Sequence, residues 1–270
     1  MPAPLQSLRQ YLKVVDAVLE VADARLPVSS RYPDLEKLIG FRARVVVLTR
    51  ADLADPAATA CWLEKLRAGG TRAVAMNART GSGDRLLYQY LKAIAKAKRE
   101  ARARRGLGEA PLRVMALGIP NVGKSSVLNR LAGRGAARTG NRPGITRGPQ
   151  WIRIKDNLEL LDTPGVLWPR WREPRTALWL GALGCAPEES VPVVGIACLV
   201  GEFLLREAPG TLAARYGIQE QGDATDILAA IGRARGFLLP GGVVDQEKTA
   251  RALVNDFREG RLGRFTLERP

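Results

Sequence analysis

Hydrophobic and polar positions follow two regimes along the chain. The run "VVDAVLEVADA" from Val14 to Ala24 is almost continuously apolar, the pattern of a central strand buried on both faces. Residues 1–10 have the spacing of a helical lead-in, and "DARLP" reads as the turn leaving the strand. A second buried strand is expected over Val45–Leu48 and a helix over Ala57–Ala68. A third strand follows over Ala73–Met76, then a helix from Asp84 that continues into "KAKREARARR". Apolar runs at Val114–Leu117 and from Leu158 complete the set. Alternating β and α units predict an α/β fold with a doubly wound, mostly parallel sheet and sites at the C-terminal ends of its strands. The alternation stops at "GVLWPRWREPR", read as a linker. Beyond it, five stretches of helical spacing ("ALWLGALG", "ACLVGEFLLREA", "TLAARYG", "ATDILAAIGRARG" and "EKTARALVNDFREG") are punctuated by Gly and Pro. The expected organisation is an α/β domain over residues 1–172 and a small all-helical domain over 173–270.

The turn after Val114–Leu117 carries candidate chemistry. Gly118, Gly123, Lys124 and Ser125 fit G-x-x-x-x-G-K-[ST]. A strand precedes them, and an amphipathic helix with Val127, Leu128 and Leu131 follows. A phosphate there would meet backbone N–H groups and the positive end of a helix together. Lys124 is suited to the β- and γ-phosphates, and the Ser125 hydroxyl to Mg²⁺. Downstream, "ELLDTPG" offers Asp162 for a water-mediated Mg²⁺ contact and the Gly165 amide for the γ-phosphate. Between them, the Gly/Pro-rich "TGNRPGITRGPQ" contains Thr146, expected to order on Mg²⁺ and γ-phosphate and to loosen after hydrolysis.

The base-reading element of an ordinary small GTPase would follow Gly165, and it does not. It stands earlier. "RVVVLTRADLAD" puts Thr49, Arg50, Ala51 and Asp52 after a buried strand, like N-K-x-D, and a carboxylate there accepts two hydrogen bonds that guanine offers and adenine cannot. "AVAMNARTGSG" supplies Asn77, Ala78 and Arg79 in the manner of an S-A-[KL] loop. The first half therefore carries the base pocket, and the motif order is circularly permuted.

With that order, "DARLPVSSR", "GIPNVGKS", "RPGIT", "LLDTPGVLWP" and "GGVVDQEKTA" make the chain resemble the YlqF/RbgA family, the ribosome biogenesis GTPase A type of circularly permuted P-loop GTPase, over nearly its whole length. The resemblance implies an Mg²⁺-dependent GTPase acting late in assembly of the large (50S) ribosomal subunit. It would bind 23S rRNA or the particle in a GTP-dependent way through a helical C-terminal domain, as a cytoplasmic monomer without membrane or DNA contacts. It implies catalytic roles for Lys124, Thr146 and Gly165. Nucleotide binding falls to Thr49, Arg50, Asp52, Asn77, Ala78, Arg79, Asn121, Val122, Gly123, Lys124, Ser125, Ser126 and Gly165. Mg²⁺ falls to Ser125, Thr146 and Asp162, and K⁺ to Asn121 in place of an arginine finger.

Several positions depart from the family pattern. Thr49 replaces an Asn that contacts the base and braces the pocket; Arg50 replaces Lys, its stem still able to cover guanine; Asn77 replaces Ser. The family's opening "FPGHM"-like segment, with a His implicated in hydrolysis, is not in the sequence, which contains no His, and Val166 stands where many GTPases place a water-orienting Gln. Two explanations stand: a start upstream of Met1, or hydrolysis by other means. A second functional reading also stands, a GTP-binding regulatory module with negligible turnover and no ribosomal client.

Charge favours the ribosomal reading. The net charge of +15 is concentrated: Lys92–Lys155 holds 16 Lys/Arg against 2 acids, whereas Trp171–Pro270 holds 12 basic and 13 acidic residues. Such a local field attracts a polyanion. The three cysteines, Cys61, Cys185 and Cys198, lack metal-type spacing and are expected to be buried free thiols in a reducing compartment. The apolar run Val191–Gly201 is too short to span a bilayer and is expected to be a core helix.

Overall fold

The structure, a computed structural model, describes residues 3–32, 35–133, 150–154, 157–162, 173–186 and 191–270, and of residues 3–7, 150 and 162 the backbone alone. The chain divides into two compact units, Met1–Trp168 with Phe265–Pro270, and Pro169–Arg264. The last six residues thus return to the first unit.

In the first unit the apolar runs become six strands: β1 (Ala17–Asp23), β2 (Ala43–Thr49), β3 (Arg72–Ala75), β4 (Leu112–Leu117), β5 (Gln150–Ile154) and β6 (Leu158–Asp162). Their order across the sheet is β3-β2-β1-β4-β6-β5. The first five in that order are parallel, and β5 closes the edge antiparallel to β6. Pattern reading treated Gln150 as the end of a loop and missed β5. A five-residue edge strand entered from a Gly/Pro-rich stretch has little periodicity to betray it.

The parallel register fixes which side chains share a face. Val18 lies beside Met115, and Ala22 beside Leu48, so the two core clusters of this unit occupy one face. Over one cluster lie Leu8 and Leu12 of α1 (Ala3–Leu12) with Leu35 and Ile39 of α2 (Leu35–Ile39). Over the other lies Trp62 of α3 (Pro56–Ala68). The opposite parity faces α4 (Asp84–Ala103), which buries Leu87, Leu91 and Ile94, and α5 (Lys124–Ala132). Each fully buried leucine of this kind contributes about 1.5–3 kcal/mol. Glu20 interrupts the apolar β1 and is 1% exposed, so its carboxylate needs a partner. Arg31 supplies a bidentate one, Nε and Nη2 each 3.0 Å from a carboxylate oxygen.

The second unit contains, among the described residues, α6 (Pro174–Ala182), α7 (Val193–Glu207), α8 (Thr211–Tyr216), α9 (Ala224–Ala234) and α10 (Gln246–Arg258). The expected helices are all present, including the core helix over Val191–Gly201. Trp179, Phe203 and Phe257 form an aromatic cluster with centroids 5.5–6.5 Å apart. Asp256, 5% exposed, sits at a polar junction. It accepts from Arg215 Nε at 2.7 Å, Arg261 Nη1 at 2.6 Å and the Tyr216 hydroxyl at 3.0 Å. Burial pushes the Asp256 carboxyl up, but these three donors more than offset it and hold the group below the ordinary carboxylate range.

The cysteines only partly match expectation. Cys185 is buried and Cys198 half-buried, but Cys61 is exposed. On α3, Thr59 and Trp62 take the buried positions, and Cys61 falls on the solvent side of the helix. No helix among the described residues is long and apolar enough to cross a membrane.

A group whose folded pKa is depressed stabilises above its unfolded pKa and loses that stabilisation as pH falls through the folded value. Asp256→Asn should therefore lower unfolding stability by about 1–3 kcal/mol at pH 7. The gap from wild type should stay full down to about pH 4 and close below it, as read by urea titrations across pH.

Candidate functional site

All the parallel strands end at one edge of the sheet, and the loops leaving them there carry the sequence motifs. β4 leads through Gly118–Gly123 into α5. Gly118 is required by proximity: a Cβ would lie 2.5 Å from the Val21 carbonyl oxygen of β1. Gly123 is required by its backbone, at φ 104° immediately before the helix. Lys124 is 7% exposed, and its ammonium donates to the carbonyls of Gly118 at 3.1 Å and Ile119 at 2.9 Å. It is thereby curled into the loop that the motif says should wrap a phosphate. Ser125 follows in the first turn of α5, half-buried, while Asn121 and Ser126 are exposed.

The loop leaving β2 is fastened to the loop leaving β4. Thr49 is 3% exposed, and its hydroxyl lies 2.6 Å from the Val122 carbonyl and 3.0 Å from that of Ala22. The single hydroxyl proton favours the nearer oxygen. Replacing Asn by Thr at this position was expected to cost a brace; a hydroxyl supplies one instead. Arg50, at φ 53°, donates from Nη2 to the Asn121 carbonyl at 2.8 Å and from Nη1 to Asp23 at 3.0 Å. Its guanidinium is thus held against the loop and the end of β1. Asp52, two residues on, is half-buried, and no described residue donates a hydrogen bond to its carboxylate.

Asp23 was not singled out by sequence reasoning, beyond belonging to "DARLP". It is fully buried at the end of β1; Arg25 binds Oδ1 from Nε at 3.0 Å and Oδ2 from Nη2 at 2.9 Å, and Arg50 Nη1 joins it on Oδ2 at 3.0 Å. Burial alone would raise its pKa; Arg25 and then Arg50 reverse the shift and keep it ionised. A buried acid in an otherwise apolar strand was the available signal, since such a charge persists only when paired.

The loop after β3 closes the same edge. The Asn77 carboxamide oxygen accepts from the backbone N–H of Arg79 at 2.8 Å and of Thr80 at 3.3 Å. Asn77 therefore shapes its own turn, with Ala78 half-buried and Arg79 exposed. The loop is joined to the β2 loop by Ala51 N–H donating to the Met76 carbonyl at 3.2 Å. It is joined to α5 by Arg130, whose Nε lies 2.8 Å from the Asp84 carboxylate. β6, next to β4, carries Asp162 to this edge. Thr146, Gly165 and Val166 lie outside the described residues.

The family described as 50S ribosome-binding GTPase matches residues 113–181. A ribosome biogenesis GTPase A of Bacillus cereus is 36% identical over 98% of this chain and 90% of its own length. One from Thermotoga maritima is 27% identical over 98% and 90%. Among solved structures, GNP-bound YlqF from T. maritima covers all of this chain and 99% of its own, at 25% identity and a TM-score of 0.70. A GDP-bound structure of TM YlqF gives 0.71 at 25% identity, covering 98% of this chain and 99% of its own.

Thr49→Val keeps the shape of the side chain but removes the proton that Val122 and Ala22 share. An unmade buried hydrogen bond costs about 1–3 kcal/mol, so the urea midpoint should fall by that equivalent with an unchanged slope. Thr49→Ser should retain most of the stability.

Proposed function

The chain belongs to the ribosome biogenesis GTPase A family, a GTP-binding and GTP-hydrolysing factor of ribosome assembly, and we propose that it acts late on the large subunit by switching its grip on rRNA with its nucleotide state. One observation carries the site assignment. The loop holding Asp52 is bound, through Thr49 and Arg50, to the backbone of the loop holding Lys124. One nucleotide then spans both: Asp52 reads the guanine edge, and the Gly118–Gly123 amides, Lys124 and Ser125 hold the phosphates. Asn121, Val122 and Ser126 line the same loop; Asn77, Ala78 and Arg79 border the base.

The oxygen donors suit Mg²⁺, a hard cation: the Ser125 hydroxyl in the first turn of α5 and Asp162 at the end of the strand beside β4, with Thr146 as the switch ligand. Bound there, Mg²⁺ would neutralise charge on the β- and γ-phosphates. Lys124 carries its positive charge into the same place, and the Gly165 amide meets the γ-phosphate. Val166 beyond Gly165 is no water-orienting Gln, and the sequence holds no His. Water-positioning groups contribute roughly 10²–10⁴ in rate, so intrinsic turnover is slow. K⁺ held at the Asn121 side chain, or the ribosomal particle, makes up part of the deficit. Single-turnover hydrolysis should be faster in K⁺ than in Na⁺; equal rates would remove K⁺ from the account.

The rRNA-facing charge is the exposed side of α4 and the turn after it. Lys92, Lys96, Arg99, Arg104 and Arg105 are exposed. Arg102 is spent locally, its Nε donating to the Gly108 carbonyl at 2.7 Å. The helical unit, near neutral, supplies shape and a few specific contacts. The protein works as a cytoplasmic monomer on 23S rRNA within the particle.

Co-sedimentation with large-subunit particles tests this reading. Binding should be tighter with a GTP analogue than with GDP, by about 1–3 kcal/mol of coupling. It should weaken with salt, and charge reversal at Arg104 and Arg105 should lower the log–log slope by about one to two units. Equal pelleting in both nucleotide states would reject the switch and leave only non-specific adhesion, and no pelleting in either state would favour a regulatory module without a ribosomal client.

A further inference from the structure

The last residues of the sequence do not trail from the helical unit. Phe265–Pro270 belongs to the first unit, where it hydrogen-bonds the loop that carries Asp52. Phe265 donates its N–H to the Leu53 carbonyl at 3.2 Å, and the Thr266 hydroxyl oxygen accepts from the Asp55 N–H at 3.2 Å. Leu53 and Asp55 both follow Asp52 in this loop, and Asp55 in turn caps α3 by accepting from the Ala58 N–H at 2.6 Å.

The same segment grips the "DARLPVSS" loop. Leu267 N–H donates to the Arg25 carbonyl at 2.8 Å. The Glu268 carboxylate accepts from the N–H groups of Val28 at 2.6 Å and Ser29 at 2.9 Å, and its backbone carbonyl accepts from Trp62 Nε1 at 2.9 Å. That loop holds Asp23, the buried partner of Arg50. Asp52 is therefore braced from two directions: from the phosphate side by Thr49 and Arg50, and from the outside by a segment more than 200 residues away in sequence.

We propose that Phe265–Glu268 is a positioning element of the base pocket, with Thr266 and Glu268 as its positioning residues, setting how sharply Asp52 discriminates guanine. The proposal rests on the reading of Asp52 as the guanine reader. A carboxylate can accept from both N1–H and the exocyclic amine only if its plane is held; a loop released on its outer side keeps one bond more easily than two.

The experiment compares GDP, IDP (which lacks the exocyclic amine) and ADP on four proteins: wild type, a chain ending at Arg264, Thr266→Val and Thr266→Ser. Truncation should weaken GDP binding about tenfold, the scale of one or two lost net hydrogen bonds, and shrink the GDP-to-IDP preference. Thr266→Val should move the same way by a smaller factor, and Thr266→Ser should restore wild-type values. A truncated or Thr266→Val protein that melts earlier but keeps the wild-type GDP-to-IDP ratio when folded would overturn the proposal, leaving the segment a plain structural strap. If wild type bound ADP as well as GDP, the Asp52 reading itself would fail and the proposal with it, independently of the tail variants.

Discussion

A nucleotide site built from two stretches of chain 71–73 residues apart works only if the two are held in register. Here that register rests on two side chains at the end of β2. Thr49 and Arg50 both bind backbone carbonyls of the Gly118–Gly123 loop, so they fix that loop's path irrespective of its side chains. Backbone carbonyls are hard to leave unpaired, which makes the fastening stiff. In an unpermuted chain the two loops would be reached from the same strands in a different order; the sheet is indifferent to order so long as the strand ends share an edge.

The buried Asp23 shows how such stiffness is bought. A desolvated carboxylate shared by two arginines contributes little net stability, because desolvation offsets most of the attraction. What it supplies is direction. Arg25, 2% exposed, binds both carboxylate oxygens, and Arg50 shares Oδ2 with it, so the Arg50 fork is anchored at Asp23 through Nη1 and at the Asn121 carbonyl through Nη2. Glu20 and Arg31 repeat the device lower in the same strand. The end of β1 therefore acts as a fixed post against which the loops on either side are set.

Most of the fold was legible because buried parallel strands and amphipathic helices write strong periodicities. The long strands β1, β2 and β4 and all five later helices follow directly from them. The motifs were legible because their spacing is chemical: Lys124 must follow Gly123 at the start of a helix. What stayed hidden was of two kinds. Edge strand β5 is short and has one paired side, so its pattern is weak. Long-range polar pairings leave no periodic trace at all: neither Asp23 with Arg50 nor Glu268 with the Val28 and Ser29 amides can be read from spacing. Thr49 misled in a third way, since a missing amide looked like a missing brace until the hydroxyl's two carbonyl neighbours came into view.

Assembly function then follows from the same geometry. A basic helix on the α/β unit and a nearly neutral helical unit share one chain. On the proposed reading, the loop in the first half reads the base for phosphates held in the second. The most direct test is displacement of a fluorescent GDP from wild type and Asp52→Asn by GDP and XDP. Wild type should release the probe to GDP and resist XDP, and the variant should reverse that preference, because the Asn amide NH2 cannot accept from guanine's exocyclic amine but can donate to the 2-carbonyl of xanthine. An Asp52→Asn protein that folds normally and keeps its wild-type preference for GDP over XDP would contradict the account.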